Sequence, residues 1–298
     1  TSPCTRGPCS WYPVLVNTPV RFVALTAGSA STCGLTAAGE VWCWGYGTGV
    51  EPRRVNGLPA LASLIRGTTC GLTGEGEPIC WSLTGGAPQS LSERRFSSFS
   101  IGGAYVCGVA PDGVGYCWGD NRRGQLGTGD TVPRAQATAV AGGLRWSRIE
   151  AGGDLACGIT TDHRVYCWSG PQTSTGSAYG LAPTLVVGDR TVTQLTVGDE
   201  HACAVDAAGE ALCWGRTAWN FDRPTLWVPA PPAVVGSGFE TIAAGGRSYL
   251  SLTSIGSFDC AVKTGGAVHC RGVNAYGQRG GAFTELNSFG PIFPPSTP

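Results

Sequence analysis

The sequence predicts an all-β propeller of four-stranded blades, and three observations lead to this fold class. A phrase with two cysteines ten positions apart occurs six times, first as CGLTAAGEVWCWG at residues 33–45. Upstream of each copy lies a short segment in which apolar and polar residues alternate and which ends in glycine. Downstream of most copies lie a Gly-rich loop and a strand that begins with proline. Successive first cysteines are 37 residues apart at the closest (Cys33 to Cys70) and 57 at the widest (Cys203 to Cys260), which is the size of one blade. Six units favour six blades, with seven as the alternative.

The cysteine spacing predicts a β-hairpin with a defined register. The midpoint of the first copy is Ala38, so that Cys33 faces Cys43 and Leu35 faces Val41. The turn then ends at Gly39, a position that requires a positive φ. The residues at the equivalent position of the other copies are Gly76, Gly113, His163, Gly209 and Gly266. Because directly opposed Cβ atoms lie about 4.5–5.5 Å apart, one cross-strand disulfide is expected in each hairpin.

Fourteen cysteines divide into seven pairs, which indicates an oxidising compartment. The predicted pairs are Cys4–Cys9, Cys33–Cys43, Cys70–Cys80, Cys107–Cys117, Cys157–Cys167, Cys203–Cys213 and Cys260–Cys270. The alternative is zinc, whose structural sites place cysteines about two to four residues apart, a spacing that does not occur here. The three histidines are scattered along the chain. No metal and no cofactor are therefore predicted.

The composition limits which kinds of partner the protein can bind and where in the cell or outside it the protein is found. Twenty acidic and 20 basic residues give a net charge of zero, so no basic face for nucleic acid is expected. No apolar run approaches the ~20 residues of a membrane helix. The chain contains no methionine, which we interpret as a mature chain whose signal peptide has been removed. A secreted protein, or one on the extracellular surface, is expected.

Two regions are predicted. Residues 1–13 form an N-terminal extension with the Cys4–Cys9 loop, and residues 14–298 form a single propeller. The segment PVLVNTPV at residues 13–20 resembles an outermost strand without its own hairpin. We expect it to complete the last blade, so that the two chain ends pair and close the ring.

Two stretches carry a resemblance to a known family. WGDNRRGQLGTGDTVP at residues 118–133, together with IEAGGDLACGI at residues 149–159, resembles the repeat of the regulator of chromosome condensation superfamily. RGVNAYGQRGG at residues 271–281 is a weaker match. The resemblance implies a β-propeller. It also favours protein binding through one rim, because family members include a secreted bacterial β-lactamase inhibitor and the exchange factor of a small GTPase. Neither specific activity has a matching motif here.

A tryptophan follows the second cysteine in five copies. These residues are Trp44, Trp81, Trp118, Trp168 and Trp214. At one equivalent position on the third strand they are expected to fill the gap to a neighbouring blade. The alternative is an aromatic ladder for light sensing or ligand stacking, although the Gly-Trp-Arg-His-Thr motif of the family's plant photoreceptor is absent.

Candidate binding residues lie in the loops between the first and second strands, which open on the same face as those between the third and fourth. The glycines of these loops recur from repeat to repeat while the residues between them differ. Variable loop residues on a constant scaffold are typical of binding sites. The candidates are Arg66, Tyr105, Asp154, Asp199, Glu200, His201, Arg247 and Tyr249. A long connection adds Trp219, Phe221 and Trp227, which are either contact anchors or a satellite cluster under the loop. The alternative for the whole set is that these are solvated or structural loop residues.

No catalytic residues are assigned, because no motif for nucleophilic, zinc or phosphate chemistry occurs. The first hypothesis is a non-enzymatic extracellular propeller that binds a protein or a glycan. The second is a structural subunit that self-associates in a surface assembly, since low charge favours association. The third is a carbohydrate-active enzyme, which requires two carboxylates on one rim.

Overall fold

The computed structural model describes residues 16, 18–28, 31–45, 47–169, 172–173, 176–177, 179–199, 201–215, 230–245, 258–272 and 286–291. These residues form 26 strands, and all but two of the strands belong to six four-stranded antiparallel sheets. In each sheet the strands pair in chain order. The sheets are the blades of a propeller, so the prediction of six blades is confirmed and the alternative of seven is wrong.

Each blade has a contiguous span of sequence. Blade 1 contains β1 (Ala24–Ala27), β2 (Ser31–Leu35), β3 (Val41–Gly45) and β4 (Gly49–Arg54). Blade 2 contains β5 (Leu61–Leu64), β6 (Cys70–Thr73), β7 (Pro78–Cys80) and β8 (Gln89–Ser90). Blade 3 contains β9 (Ser98–Ile101), β10 (Tyr105–Val109), β11 (Gly115–Gly119) and β12 (Arg134–Ala139).

Blades 4 to 6 follow the same plan. Blade 4 contains β13 (Trp146–Ala151), β14 (Leu155–Thr160), β15 (Val165–Ser169) and β18 (Thr184–Val187), and a short hairpin of β16 (Gln172–Thr173) and β17 (Gly176–Ser177) precedes its last strand. Blade 5 contains β19 (Val192–Val197), β20 (His201–Asp206), β21 (Ala211–Gly215) and β22 (Ala230–Gly236). Blade 6 contains β23 (Phe239–Gly245), β24 (Phe258–Lys263), β25 (Val268–Gly272) and β26 (Leu286–Pro291).

The predicted hairpin register is confirmed. Cys33 pairs with Cys43 and Leu35 with Val41. Six disulfides, one in each blade, join cysteines ten residues apart. The turn residue has the expected left-handed conformation, with φ of 80° at Gly39 and 65° at His163. The predicted Cys4–Cys9 link lies outside the described residues.

The hydrophobic core lies between adjacent blades. The buried Trp168 belongs to a cluster with Tyr105 and Leu126 of blade 3, and the buried Trp214 to a cluster with Leu155 of blade 4. The Trp168 indole donates its Nε1 hydrogen bond to the carbonyl oxygen of Gln125, 2.8 Å away. These tryptophans therefore join each blade to the preceding one, as predicted.

The remaining tryptophans of this position vary in their burial. Trp81 is buried, whereas Trp44 and Trp118 are only half-buried. The rings of Trp44 and Trp118 stack on Phe22 and Phe96 at centroid distances of 5.7 Å. A phenylalanine of the same blade thus covers one face of each of these two rings.

The C-terminal segment supplies the fourth strand of blade 6. Strand β26 (Leu286–Pro291) pairs with β25, at the position that the sequence assigned to residues 13–20. Residues 13–15 and 17 lie outside the described part of the chain. The start of the propeller at residue 14 and the pairing of the two chain ends remain predictions.

Candidate functional site

Two sets of loops open on one face of the propeller, here called the loop face. They are the connections between the first and second strands and those between the third and fourth strands of each blade. In blade 3 the two connections touch, since the backbone N–H of Asp120 donates to the carbonyl oxygen of Ala104 at 3.0 Å. Between blades, Arg123 of blade 3 forms an ion pair with Asp154 of blade 4. The predicted placement of both loop types on one face therefore agrees with these contacts.

The loops between the first two strands share one backbone hydrogen bond in four blades. The N–H of a glycine donates to the carbonyl oxygen three residues later at 2.8–2.9 Å. The pairs are Gly28 with Ser31, Gly102 with Tyr105, Gly152 with Leu155, and Gly198 with His201. A Cβ on Gly152 would lie 1.9 Å from the carbonyl oxygen of Gly198, so that only glycine fits there. The frame is thus fixed by backbone contacts, and the residue that ends each turn varies.

The predicted rim residue Tyr105 does not reach solvent. Its side chain is buried, and its hydroxyl donates to the carbonyl oxygen of Leu155 in the next blade at 2.8 Å. Burial raises the pKa of the Tyr105 phenol far above its usual value, so the group stays a neutral donor. Tyr105 therefore joins blades 3 and 4, and it does not offer the exposed side chain that the sequence analysis assumed.

His201 has the equivalent position in blade 5 and is also buried. Its Nε2 lies 2.8 Å from Oδ1 of Asp259, a buried residue of blade 6. This pair matches the structural alternative for His201 and removes the side chain from the rim. Cys203 lies beside it, and the ligand atoms of the three residues are within 4.8 Å of one another. The bond of Cys203 to Cys213 leaves no thiolate for a metal while the disulfide is intact.

Arg66 of blade 2 contacts blade 5, on the far side of the central channel. Its guanidinium donates to the Thr196 hydroxyl and to the carbonyl oxygen of Val197, the latter at 2.6 Å. The residue keeps access to solvent although blades surround it, because it lies in the channel and outside the packed core. This enclosure lowers the pKa of Arg66, while the nearby Glu150 carboxylate raises it, and the guanidinium remains charged. Arg66 thus connects opposite blades through the channel.

Hydroxyl groups on the innermost strands connect neighbouring blades. The Thr26 oxygen accepts from the N–H of Gly67 at 2.8 Å, and the Ser100 oxygen accepts from the N–H of Ala151 at 3.0 Å. The Thr196 oxygen accepts from the N–H of Ala244 at 3.1 Å. Two of these bonds satisfy N–H groups of buried residues, Ala151 and Ala244, that would otherwise have no partner.

The two acidic candidates that the structure describes, Asp154 and Asp199, are half-buried and engaged. Asp154 is paired with Arg123, and its backbone N–H donates to the carbonyl oxygen of Asp199 at 3.3 Å. Asp199 also has interactions of its own. Eight predicted residues lie outside the described residues, namely Glu200, Trp219, Phe221, Trp227, Arg247, Tyr249, Cys4 and Cys9.

Asn121 organises the longest described loop of this face and was not identified as important from the sequence. Its buried Nδ2 donates to the carbonyl oxygens of Asp130 and Val132 at 3.0 Å, and its Oδ1 accepts from the N–H of Leu126 at 2.9 Å. Asn121 belongs to the motif on which the family resemblance rests. The signal was therefore present, because one asparagine within a Gly-rich loop can bind three backbone groups at once.

Comparisons with known proteins agree with this architecture. Two family models, both described as the regulator of chromosome condensation (RCC1) repeat, match residues 112–159 and residues 22–48 and 192–218. A sequence comparison with curated proteins finds no significant match. The described residues contain no helix that is long and apolar enough to cross a membrane.

Solved structures share the fold at low identity. Human WBSCR16 superposes with a TM-score of 0.77 at 16% identity, over 99% of this chain and 89% of that chain. Yeast RCC1 (Prp20), solved bound to Kap60, gives 0.73 at 15% identity, over 92% and 75%. The ectodomain of the Arabidopsis thaliana receptor kinase ACR4 gives 0.54 at 23% identity, over 85% and 80%.

Proposed function

Because the chain carries RCC1 repeats on a six-bladed propeller, we propose that it is a non-enzymatic binding protein of an oxidising, extracellular compartment. In this proposal the loop face recognises a protein partner. The six hairpin disulfides support the compartment, since such bonds persist outside the reducing cytosol.

The observation that carries the proposal is the constant backbone frame that holds variable residues on the loop face. Four blades keep the same glycine hydrogen bond. Within two of these turns, Ala104 is exposed, and the half-buried Asp154 pairs with Arg123 of the preceding blade. A rigid frame holds such residues in place at little cost in entropy when a partner binds.

The structural relatives support binding to proteins in preference to other ligands. Yeast RCC1 was solved bound to Kap60, and a second structure of that protein is described together with its binding to Gsp1p and histones. The ACR4 relative is the ectodomain of a receptor kinase, which supports an extracellular location. At these identities the likeness concerns the fold, and the partner of this chain is a separate question.

Site-specific photo-crosslinking tests the proposal. A photoreactive phenylalanine analogue replaces Ala104, which is exposed on the loop face, and in a matched variant it replaces Asp162, which is exposed in a hairpin turn on the opposite face. With secreted proteins from the native source, we expect a defined crosslinked band from position 104 only. Equal crosslinking from both positions, or binding to a glycan panel without any protein adduct, would contradict protein binding through this face.

A further inference from the structure

A cavity opens on the loop face between blades 1 and 2. It has a volume of about 340 Å³, and its lining includes Thr26, Gly28, Ser31, Gly67 and Thr68, with Ile101 from blade 3. This volume is at the lower end of the ~300–1,000 Å³ of small-molecule sites. The cavity therefore suits a single ring or side chain.

The same position is filled from within the chain in blades 3 and 5. A Cβ on Gly102 would lie 2.4 Å from Cε1 of Tyr105, and a Cβ on Gly198 would lie 2.6 Å from Cε1 of His201. Each ring thus covers the glycine that begins its own turn. In blade 1 no ring of the described residues lies over the equivalent Gly28, and among them the side-chain atom closest to its Cβ position is Oγ of Ser31 at 3.9 Å.

The difference arises at one residue, the second before the first cysteine of each hairpin. That residue is Ser31 in blade 1 and Thr68 in blade 2, where the cavity lies, and it is Tyr105 in blade 3. Blades 1 and 3 make the same turn hydrogen bond, from Gly28 at 2.8 Å and from Gly102 at 2.9 Å. A small hydroxyl residue in place of a ring leaves the space open.

Tyr105 also shows which polar contact such a ring makes. Its hydroxyl donates to the carbonyl oxygen of Leu155, the residue of the next blade at the same place in the repeat. For a ring in blade 1 the equivalent acceptor is the carbonyl oxygen of Thr68. None of the described residues that line the cavity has a charged side chain, which disfavours anionic and cationic ligands because their charges would lose water without compensation.

We infer that this cavity, here called the blade 1–2 pocket, receives a tyrosine side chain of the protein partner. The inference rests on the proposed function and specifies its anchor. The ring would lie over Gly28, as the ring of Tyr105 lies over Gly102, and the phenol would donate to the next blade. Buried tyrosines are frequent anchors of interfaces, because they combine a large apolar area with a polar tip.

The probe for this inference is p-cresol, which reproduces the tyrosine side chain. Its binding to the full chain is followed by ligand-observed NMR, with an expected Kd on the order of 1 mM for so small a ligand. The Ser31→Tyr variant should fill the pocket from within and weaken binding at least about ten-fold. The matched control is Ser237→Tyr, which adds the same ring at an exposed turn on the opposite face and should leave binding unchanged.

Two further measurements keep the test decisive. Tyr105→Ser should open an equivalent pocket in blade 3 and add a second p-cresol site. 4-Methylanisole, which has the ring but cannot donate a hydrogen bond, should bind more weakly than p-cresol.

If Ser31→Tyr does not fold, Ser31→Leu provides a second variant. Its side chain should fill the space as Leu155 does in blade 4, where that residue is fully buried.

Absence of saturable p-cresol binding, or binding that Ser31→Tyr leaves unchanged, would overturn the inference. So would equal affinity for 4-methylanisole, because the hydroxyl contact would then have no role. These results leave the photo-crosslinking experiment unaffected, since position 104 reports a partner on the loop face whether or not a tyrosine enters the pocket. A crosslink without p-cresol binding thus refutes the tyrosine anchor and leaves the proposed function standing. Binding of p-cresol without a crosslink refutes the proposed function, and with it the assignment of the pocket to a protein partner.

Discussion

Removal of one hairpin disulfide should cost a measurable part of the stability, and the cost should depend on its surroundings. The perturbation is the double variant Cys157→Ala/Cys167→Ala in blade 4. Both cysteines are fully buried and lie ten residues apart. They belong to the core cluster between blades 4 and 5, so that removal of the sulfur atoms affects packing as well as the cross-link.

The magnitude has two parts. A loop of ten residues corresponds to about 2.7 kcal/mol of chain entropy in the unfolded state. Each lost sulfur leaves a gap in a packed core that costs about 1 kcal/mol. The expected loss in the free energy of unfolding is therefore about 4–5 kcal/mol. The matched variant Cys70→Ala/Cys80→Ala has the same loop length, but Cys80 is only half-buried, so a loss nearer about 3 kcal/mol is expected.

The assay is guanidinium unfolding of the parent and the two double variants, followed by tryptophan fluorescence and circular dichroism. Coincident transitions for the two probes establish that the free energies can be compared. A loss below about 1 kcal/mol in blade 4 would refute the entropic account of the hairpin disulfides. A larger loss in blade 2 than in blade 4 would refute the contribution assigned to core packing.

Three more predictions concern single side chains. Because burial raises the pKa of Tyr105, the unfolded chain should lose the phenol proton above about pH 10 while the folded chain keeps it. The free energy of unfolding should therefore fall by about 1.4 kcal/mol per pH unit in that range. Unfolding curves at several alkaline pH values should show a smaller decrease of this free energy in Tyr105→Phe. Gly152→Ala should destabilise by more than about 2 kcal/mol, because its Cβ would overlap the Gly198 oxygen, whereas Gly74→Ala, with open space around it, should be nearly neutral in thermal unfolding. Asn121→Ala should lower the free energy of unfolding by about 2–4 kcal/mol and raise the rate of hydrogen exchange across residues 121–132. The control Arg122→Ala, which removes an exposed ion pair in the same loop, should lower it by less than about 1 kcal/mol. An equal effect of both substitutions would contradict the role of the buried amide.

The repeat architecture could be predicted from the sequence because its determinants are local. The ten-residue spacing of Cys33 and Cys43 fixes which residues face each other, and the conformation of Gly39 closes the turn. Both are properties of one hairpin, and six copies made the pattern unambiguous. The tryptophan after the second cysteine also indicated the contact between blades correctly where it is buried, as at Trp168.

The candidate site was predicted less well because it depends on contacts between distant parts of the chain. Tyr105 and His201 begin strands β10 and β20 at positions where the pattern predicts loop residues of the rim, but the next blade covers both. The hydrogen bond from Arg66 to Thr196 joins residues 130 positions apart, and no local sequence pattern predicts such a contact. The repeat pattern also did not identify Leu286–Pro291 as a strand of blade 6, where β26 pairs with β25.

The locality of the disulfides has a consequence for how the chain matures. All six described links join neighbours within one hairpin, and none connects two blades. Each of these pairs can therefore oxidise as soon as its own hairpin has reached an oxidising compartment, before the ring exists. Mispairing would require a cysteine to bypass a partner only ten residues away, and loop-closure entropy favours the nearer one. A newly duplicated blade would contain its own disulfide, so that the number of repeats could change during evolution while the disulfides of the other blades stay the same.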